Sequence, residues 1–255
     1  MSRWSTDPLR IALAPGEAAL LRPHGTSASR VLTTGERSAA SLLPLLDDAL
    51  ADPDWRSRRV EVVLSQHFVR HVLTPPPGKA ISRAEEHALV MSSLHGIYGD
   101  EAHQWNVQVI SQPPQFGLVG AAVEAAFTQQ LDALLVRHGF RHMAIRPLAS
   151  FAAQRLPRKF SGWWALAEPG WLSLFGGSDG TWHHLTGQPI ADDWIDALPD
   201  LIEREAGLTA LDLPSAVWVQ AVGTGPVAQP DSGNERWEVL PHDPEARGAL
   251  ALAGI

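Results

Sequence analysis

The side chains best suited to chemistry do not assemble into an obvious reaction centre. Ser65, Gln66, His67 and His71 stand together in the stretch RVEVVLSQHFVRHVLTPPP, residues 59–77. A serine beside a histidine suggests a hydrolase, but the Gly-x-Ser-x-Gly turn that would expose the nucleophile is absent. His67 and His71 could chelate one ion from a helix. Val69, Val72 and the three prolines favour extended chain instead, which would hold the two rings about 13 Å apart, and no acidic third ligand is near in sequence. His183 and His184 fall on opposite faces of a predicted strand. Asp192, Asp193 and Asp196 open a predicted helix, where carboxylates complement the helix dipole. These residues predict no catalytic group and no metal site.

The elements around them are more informative. Val60, Val62 and Leu64 alternate with Glu61 and Val63, which predicts a strand buried mainly on one face. A second extended run, 68–74, ends at the prolines. Upstream, residues 10–14 and 18–22 flank Pro15-Gly16-Glu17, a hairpin signature, and 30–33 predicts a third strand. Residues 38–50 carry leucines at helical spacing. An excursion follows. Ser82 and Glu85 form a capping box for a helix over 83–97, and strands are expected at 105–110 and 116–120. Val123, Phe127, Leu131, Leu134 and His138 then line one face of a further helix, followed by a strand at 140–145 and a short helix at 150–156.

From Trp163 the pattern starts again. Strands are expected at 163–167, 171–175 and 181–185, a helix at 190–205, a strand at 216–222, a polar loop at 227–234, a last strand at 237–240 and an apolar helical tail. Three strands, a helix and a strand thus occur twice, and ALAPG at Ala12–Gly16 is echoed by ALAEPG at Ala165–Gly170. We expect an internal duplication, with residues 1–158 as a first lobe carrying an inserted subdomain over about 66–120, and 159–255 as a second.

Composition narrows the function classes. The 255 residues are 45% hydrophobic and 19% charged, a globular balance. A net charge of −8 argues against generic nucleic-acid binding. Residues 187–255 hold 3 basic and 12 acidic side chains, which predicts a solubilising face, with recruitment of a basic partner surface as the alternative. The absence of cysteine excludes disulfides and thiol chemistry. With no signal-peptide core and no apolar run long enough to span a bilayer, the expectation is a soluble cytoplasmic protein without a membrane span. Of the ten tryptophans, Trp164, Trp171, Trp194 and Trp218 are expected in the core. Trp4, Trp55 and Trp105 are left unassigned as interface anchors.

This double unit resembles the actin-like (ribonuclease H-like) ATPase fold: two α/β lobes, each a mixed sheet with helices, and an inserted α+β subdomain. The stretches VVLSQHFVRHVLTPPP and FGLVGAAVEAAFTQQLDALLVRHGF, with Tyr98-Gly99 and Arg146-Pro147-Leu148, are similar to the PilM and GspL cytoplasmic-domain family of type IV pilus and type II secretion assembly platforms. ATP-binding members of the fold carry an Asp-x-Gly hairpin in each lobe, which holds magnesium and lets backbone amides approach phosphates. Here Ala14 precedes Pro15-Gly16 and Glu168 precedes Pro169-Gly170, while the residues after the glycines, Glu17 and Trp171, would repel or crowd a phosphate. Gly223-Thr224-Gly225 stands where the family has its adenosine-side loop.

The resemblance therefore implies a degenerate nucleotide site at Gly16, Glu168, Gly170, Gly223 and Gly225. ATP and magnesium are possible there but disfavoured, and no cofactor is required. It further implies a non-catalytic scaffold that binds the cytoplasmic tail of an inner-membrane platform protein or a secretion ATPase, and that is recruited to the membrane only through that partner. The groove between the insert and the first lobe, with Phe68, Arg70 and Trp105, is the expected partner site. The rival readings are a divergent actin-like ATPase and a standalone regulator of the same fold.

Overall fold

In the computed structural model, which describes residues 8–22, 28–209, 216–224, 236–241 and 245–255, the first unit begins with strands β1 (Leu9–Ala14), β2 (Glu17–Arg22) and β3 (Ala28–Thr33), helix α1 (Leu43–Leu50) and strand β4 (Arg59–Leu64). The insert follows as β5 (Arg70–Leu73), α2 (Arg83–Tyr98), β6 (Trp105–Ile110) and β7 (Val119–Glu124). Helix α3 (Ala125–Arg137), strand β8 (His142–Pro147) and helix α4 (Leu148–Ala152) return to the first unit. The second unit comprises β9 (Gly162–Glu168), β10 (Trp171–Ser178), β11 (Thr181–Pro189), α5 (Trp194–Thr209), β12 (Ala216–Ala221), β13 (Arg236–Val239) and α6 (Gly248–Ala253).

The two units share one topology. The first sheet has the order β3-β2-β1-β4-β8 and the second β11-β10-β9-β12-β13. In each, three strands form an antiparallel meander and two more add in parallel beside the first. The two meander hairpins are alike. Ala14 pairs with Glu17 across Pro15-Gly16, and Glu168 pairs with Trp171 across Pro169-Gly170. Gly16 and Gly170 both have φ near +77°, a conformation that favours glycine after proline in a two-residue turn. The Ala12–Gly16 echo thus marks structurally equivalent turns.

The inner strands of both sheets are buried on both faces, and this corrects the expectation for β4. Val63 is as buried as Val62 and Leu64, because an interior strand between two parallel neighbours is covered on each side. Ile11, Leu13, Val62 and Leu64 face α1 and α3 in one core, with Trp55 among them. Ala12, Ala14 and Val63 face the opposite way and meet Trp164, Leu166 and Phe175 of the second sheet. Helices α4 and α6 fill the space between the sheets, and α6 packs on β1 and β2 of the first unit. Trp163, Ala165, Val217 and Val219 form the third core with Trp194 and Leu198 of α5. The adjacent Trp163 and Trp164 serve different cores because side chains alternate along a strand.

The insert carries its own three-stranded antiparallel sheet, β5-β7-β6, under α2. The Ser82–Glu85 capping box is present: Ser82 N–H donates to Glu85 Oε2 at 2.7 Å and Glu85 N–H to Ser82 Oγ at 3.3 Å. Two boundaries move. Residues 114–116 form a turn and the strand begins only at Val119, so the strand expected at 116–120 is β7, and Val123 lies on it rather than on α3. The strand runs on to Glu124, and Gly120 within it sits where α2 crosses the sheet. A Cβ there would collide with Val90 and Val72. The helix expected at 190–205 begins only at Trp194, and the short helix at 150–156 begins at Leu148. Trp4 and the 227–234 loop lie outside the described residues.

The close crossing makes a test. Gly120→Ala should destabilise the protein by about 1–3 kcal/mol through overpacking, measured by urea unfolding. A neutral outcome would mean that α2 can lift from the sheet.

Candidate functional site

The two hairpins face each other across a cleft of about 470 Å³. Pro15 and Glu17 line it from the first unit, Glu168 and Gly170 from the second, and Gly223 from the turn after β12. Four of the five positions assigned to a degenerate nucleotide site therefore come together: Glu168, Gly170 and Gly223 on the cleft wall, and Gly16 in the hairpin between two lining residues. The fifth, Gly225, lies outside the described residues.

The cleft is shaped by its own carboxylates. Glu17 reaches across to α6, where Oε2 accepts the Ala249 N–H at 3.0 Å. The carboxylate presses so closely on Gly248 that a Cβ at that residue would clash with it. These contacts hold the Glu17 carboxylate on the cleft wall, where its charge would oppose an anionic ligand. Trp171, expected to crowd the cleft, does not line it. Its ring packs over Gly187 and tilts against His67 at 5.4 Å.

Glu168 is 1% exposed and binds the first unit. Oε1 accepts the Gln66 N–H at 2.6 Å, and the Ser65 hydroxyl is a second partner. Burial pushes its carboxyl up to about 7 despite these two bonds, which favour the ionised form. Gln66, also buried, extends the contact. Its Nε2 donates to Ser173 Oγ at 3.4 Å, and its Oε1 accepts the Ala149 N–H at 3.4 Å. Residues 66–68 form a 3-10 helix whose N-cap Ser65 accepts the His67 N–H at 3.2 Å, so the extended run expected from Phe68 begins only at Arg70.

His67 and His71 do not converge. His67 Nε2 lies 3.0 Å from the Pro169 carbonyl oxygen, which fits a neutral ring donating its Nε2–H. Burial holds its pKa below the ordinary imidazole value, with smaller contributions from Arg37 and Arg70. His71 sits edge-on to Phe175, and burial lowers it to about 4. On β11, His184 turns to Glu205 at 2.8 Å while His183 turns to Phe116.

A second cavity, about 390 Å³, lies between the insert and the first unit. Phe68, Arg70 and Trp105 all line it, so the structure collects the three residues assigned to partner binding. Each is also anchored internally. Phe68 tilts against Phe127 at 6.5 Å, Arg70 Nη1 donates to the His67 carbonyl at 3.0 Å, and Trp105 meets Tyr98 edge to face at 5.0 Å. Glu101 and Glu124 add negative charge to the same wall, and Pro15, Arg37 and His67 border both cavities. Sequence reasoning missed Arg37 and gave Gln66 no role of its own, since only the approach of the two units gives them neighbours.

The comparisons with known proteins fit this architecture. No protein-family model matches the chain, and no curated protein matches its sequence. Among solved structures, it is similar to the cytoplasmic domain of EpsL, an inner-membrane component of the type II secretion system of Vibrio cholerae. That match has 16% identity and a TM-score of 0.57 over 96% of this chain and 92% of the other. The PilM–PilN type IV pilus biogenesis complex matches at 13% identity and a TM-score of 0.54, over 85% of this chain and 81% of the other. A Bacteroides thetaiotaomicron protein with an actin-like ATPase fold and unknown function matches at 11% identity and a TM-score of 0.51, over 89% and 86%. The fold is the two-lobed actin-like, ribonuclease H-like ATPase fold. Among the described residues, no helix is long and apolar enough to cross a membrane.

Two outcomes follow from the contacts at Glu168. Its raised pKa means that folding takes up a proton, so its contribution to stability is complete below about pH 4.5 and is lost as pH rises through about 7. Glu168→Gln keeps an acceptor for Gln66 without the ionisation. Its stability relative to the parent should be small at pH 4.5 and grow to roughly 3 kcal/mol in favour of the variant by pH 8, read by urea unfolding. His67 and His71 act in the opposite sense, losing stability as pH falls below about 6.5, and cancel in this difference. Gln66→Ala should cost about 1–3 kcal/mol at all pH values by stranding buried polar partners.

Proposed function

We propose that this chain is a non-catalytic scaffold of a membrane-associated assembly platform of the type II secretion or type IV pilus kind. It holds the cytoplasmic tail of a platform protein or a secretion ATPase. The observation that carries the non-catalytic part is the bond from Ala249 N–H to Glu17. A carboxylate of the protein is thereby held on the cleft wall, where it would repel a phosphate, and the equivalent hairpin directs Glu168 into a buried contact between the units instead of toward a metal ion. Ala14 supplies no carboxylate at the other hairpin. In this reading both cleft carboxylates serve internal contacts rather than a magnesium ion for phosphoryl transfer.

The fold supports the scaffold reading by analogy only, because one fold serves many functions. The groove at Phe68, Arg70 and Trp105 is the partner site in this reading. It offers two aromatic surfaces beside a guanidinium that commits one donor to His67, leaving others for a carboxylate of an extended tail. An actin-like nucleotide-binding protein is the second reading. The open cleft, with Arg37 and Arg247 on its wall, is what favours it.

Calorimetric titration with magnesium-ATP, paired with a thermal-shift assay, separates the two. The scaffold predicts no heat and no change in melting temperature at millimolar nucleotide, since a ligand that binds only the native state must raise it. Submillimolar binding would reject the scaffold in favour of the second reading. Tail peptides of assembly-platform membrane proteins should bind the parent, with Arg70→Ala weakening them about tenfold or more.

A further inference from the structure

We propose that His95, Asp100 and His103 form a surface site for a first-row transition-metal dication on the insert, apart from both cavities. Their candidate ligand atoms all lie within 4.8 Å of one another, the one such grouping among the described residues. His95 Nδ1 is 3.9 Å from Asp100 Oδ1, and the His95 and His103 rings are 5.3 Å apart. A tetrahedral ion with ligands near 2.1 Å spaces them about 3.4 Å from each other. All three side chains are exposed, so closing the remaining ångström requires rotamer changes and no movement of the core.

The backbone explains the convergence. His95 lies in the last turn of α2, whose C-cap Gly99 has φ +66° and donates its N–H to the His95 carbonyl. That positive φ turns the chain into a 3-10 helix, Gly99–Gln104. At three residues per turn, positions i and i+3 eclipse one another, so Asp100 and His103 share a face, and the reversal presents that face to His95. The segment is held from behind. Ala102 is fully buried in the insert core, and Tyr98 and Trp105 pack edge to face at the two ends of the turn. The site is therefore built on an anchored segment, which lowers the ordering cost of binding.

The donor set selects the ion. Two imidazole nitrogens and one carboxylate suit Zn²⁺, Co²⁺, Ni²⁺ or Cu²⁺, whereas Ca²⁺ and Mg²⁺ require mainly oxygen ligands. Three protein ligands leave positions for water or for a donor from another molecule. Glu101 lies within the same 3-10 helix and Trp105 directly follows it, and both line the groove against the first unit. A bound ion would stiffen that wall. The site stands on its own geometry and holds whether or not the groove receives a protein tail.

The test uses untagged, chelator-treated full-length protein titrated with ZnCl₂ by calorimetry, with Co²⁺ absorption as a spectroscopic readout of coordination. The site predicts one equivalent of Zn²⁺, at least about tenfold weaker binding for His95→Ala and for His103→Ala, and unchanged binding for His87→Ala, an exposed histidine elsewhere on α2. The three variants alter exposed positions, so their metal-free unfolding midpoints should match the parent. Absence of binding at millimolar Zn²⁺, binding that survives both ligand variants, or Mg²⁺ binding as tightly as Zn²⁺ would overturn the proposal.

Discussion

The molecule depends on one buried polar junction where its three parts meet. Gln66 emerges from the end of β4, the strand that leads from the first sheet into the insert. Its amide N–H is held by Glu168 of the second unit, and its side chain bridges Ser173 of that unit and the first turn of α4. A buried amide in this position needs every partner, because the low surrounding polarity raises the cost of an unmet hydrogen bond. The junction therefore fixes the approach of the two units more sharply than apolar contact alone, which is not directional. The cleft and the groove share a border at His67, one residue further on.

Around this junction the duplicated topology has been put to unequal use. The equivalent hairpins place Ala14 and Glu168 at the same strand end. In the first unit the small side chain lets α6 approach the sheet, with Ala12, Ala14 and Ala19 meeting Ala249, Leu252 and Ala253 in a single core. In the second unit the carboxylate is drawn into the fold and kept by Ser65 and Gln66. Glu17, one residue past its hairpin glycine, is turned toward α6 in the same manner. The two hairpin carboxylates, Glu17 and Glu168, are committed to internal contacts, and Arg37 and Arg247 remain on the cleft wall.

The insert follows a different economy. Its core is small, with Val72, Val90, Leu94, Ala102, Leu118 and Ala122 buried. Gly120 brings α2 onto the sheet, and the insert's outer surface carries exposed imidazoles and carboxylates. One side of it forms the groove wall through Trp105 and the strand end at Arg70. Here the binding surfaces sit on a unit with few core contacts, while the inner strands of the two main sheets provide a rigid base covered on both faces.

The sequence by itself determined the repeated order of elements, the two Pro-Gly hairpins, the capping box at Ser82 and Glu85, and the alanine at position 14. These are local properties: turn chemistry, side-chain period and residue identity act within a few positions. The fold class was legible for the same reason, since two copies of one pattern constrain the topology far more than either alone. Only the tertiary structure decided that β4 is covered on both faces, that the strand through Gly120 runs on to Glu124 where helical spacing places Val123 on α3, and that Trp171 turns away from the cleft. It also decided what the candidate site is made of. Gln66, Glu168 and Ala149 are far apart in the chain, and no periodicity relates them. His95, Asp100 and His103 are close in sequence, yet their convergence depends on the left-handed turn at Gly99 and the 3-10 helix beyond it. Long-range packing sets which polar groups lose water, and it therefore sets which of the many candidate side chains acquire a partner, a shifted pKa or a place at a surface site.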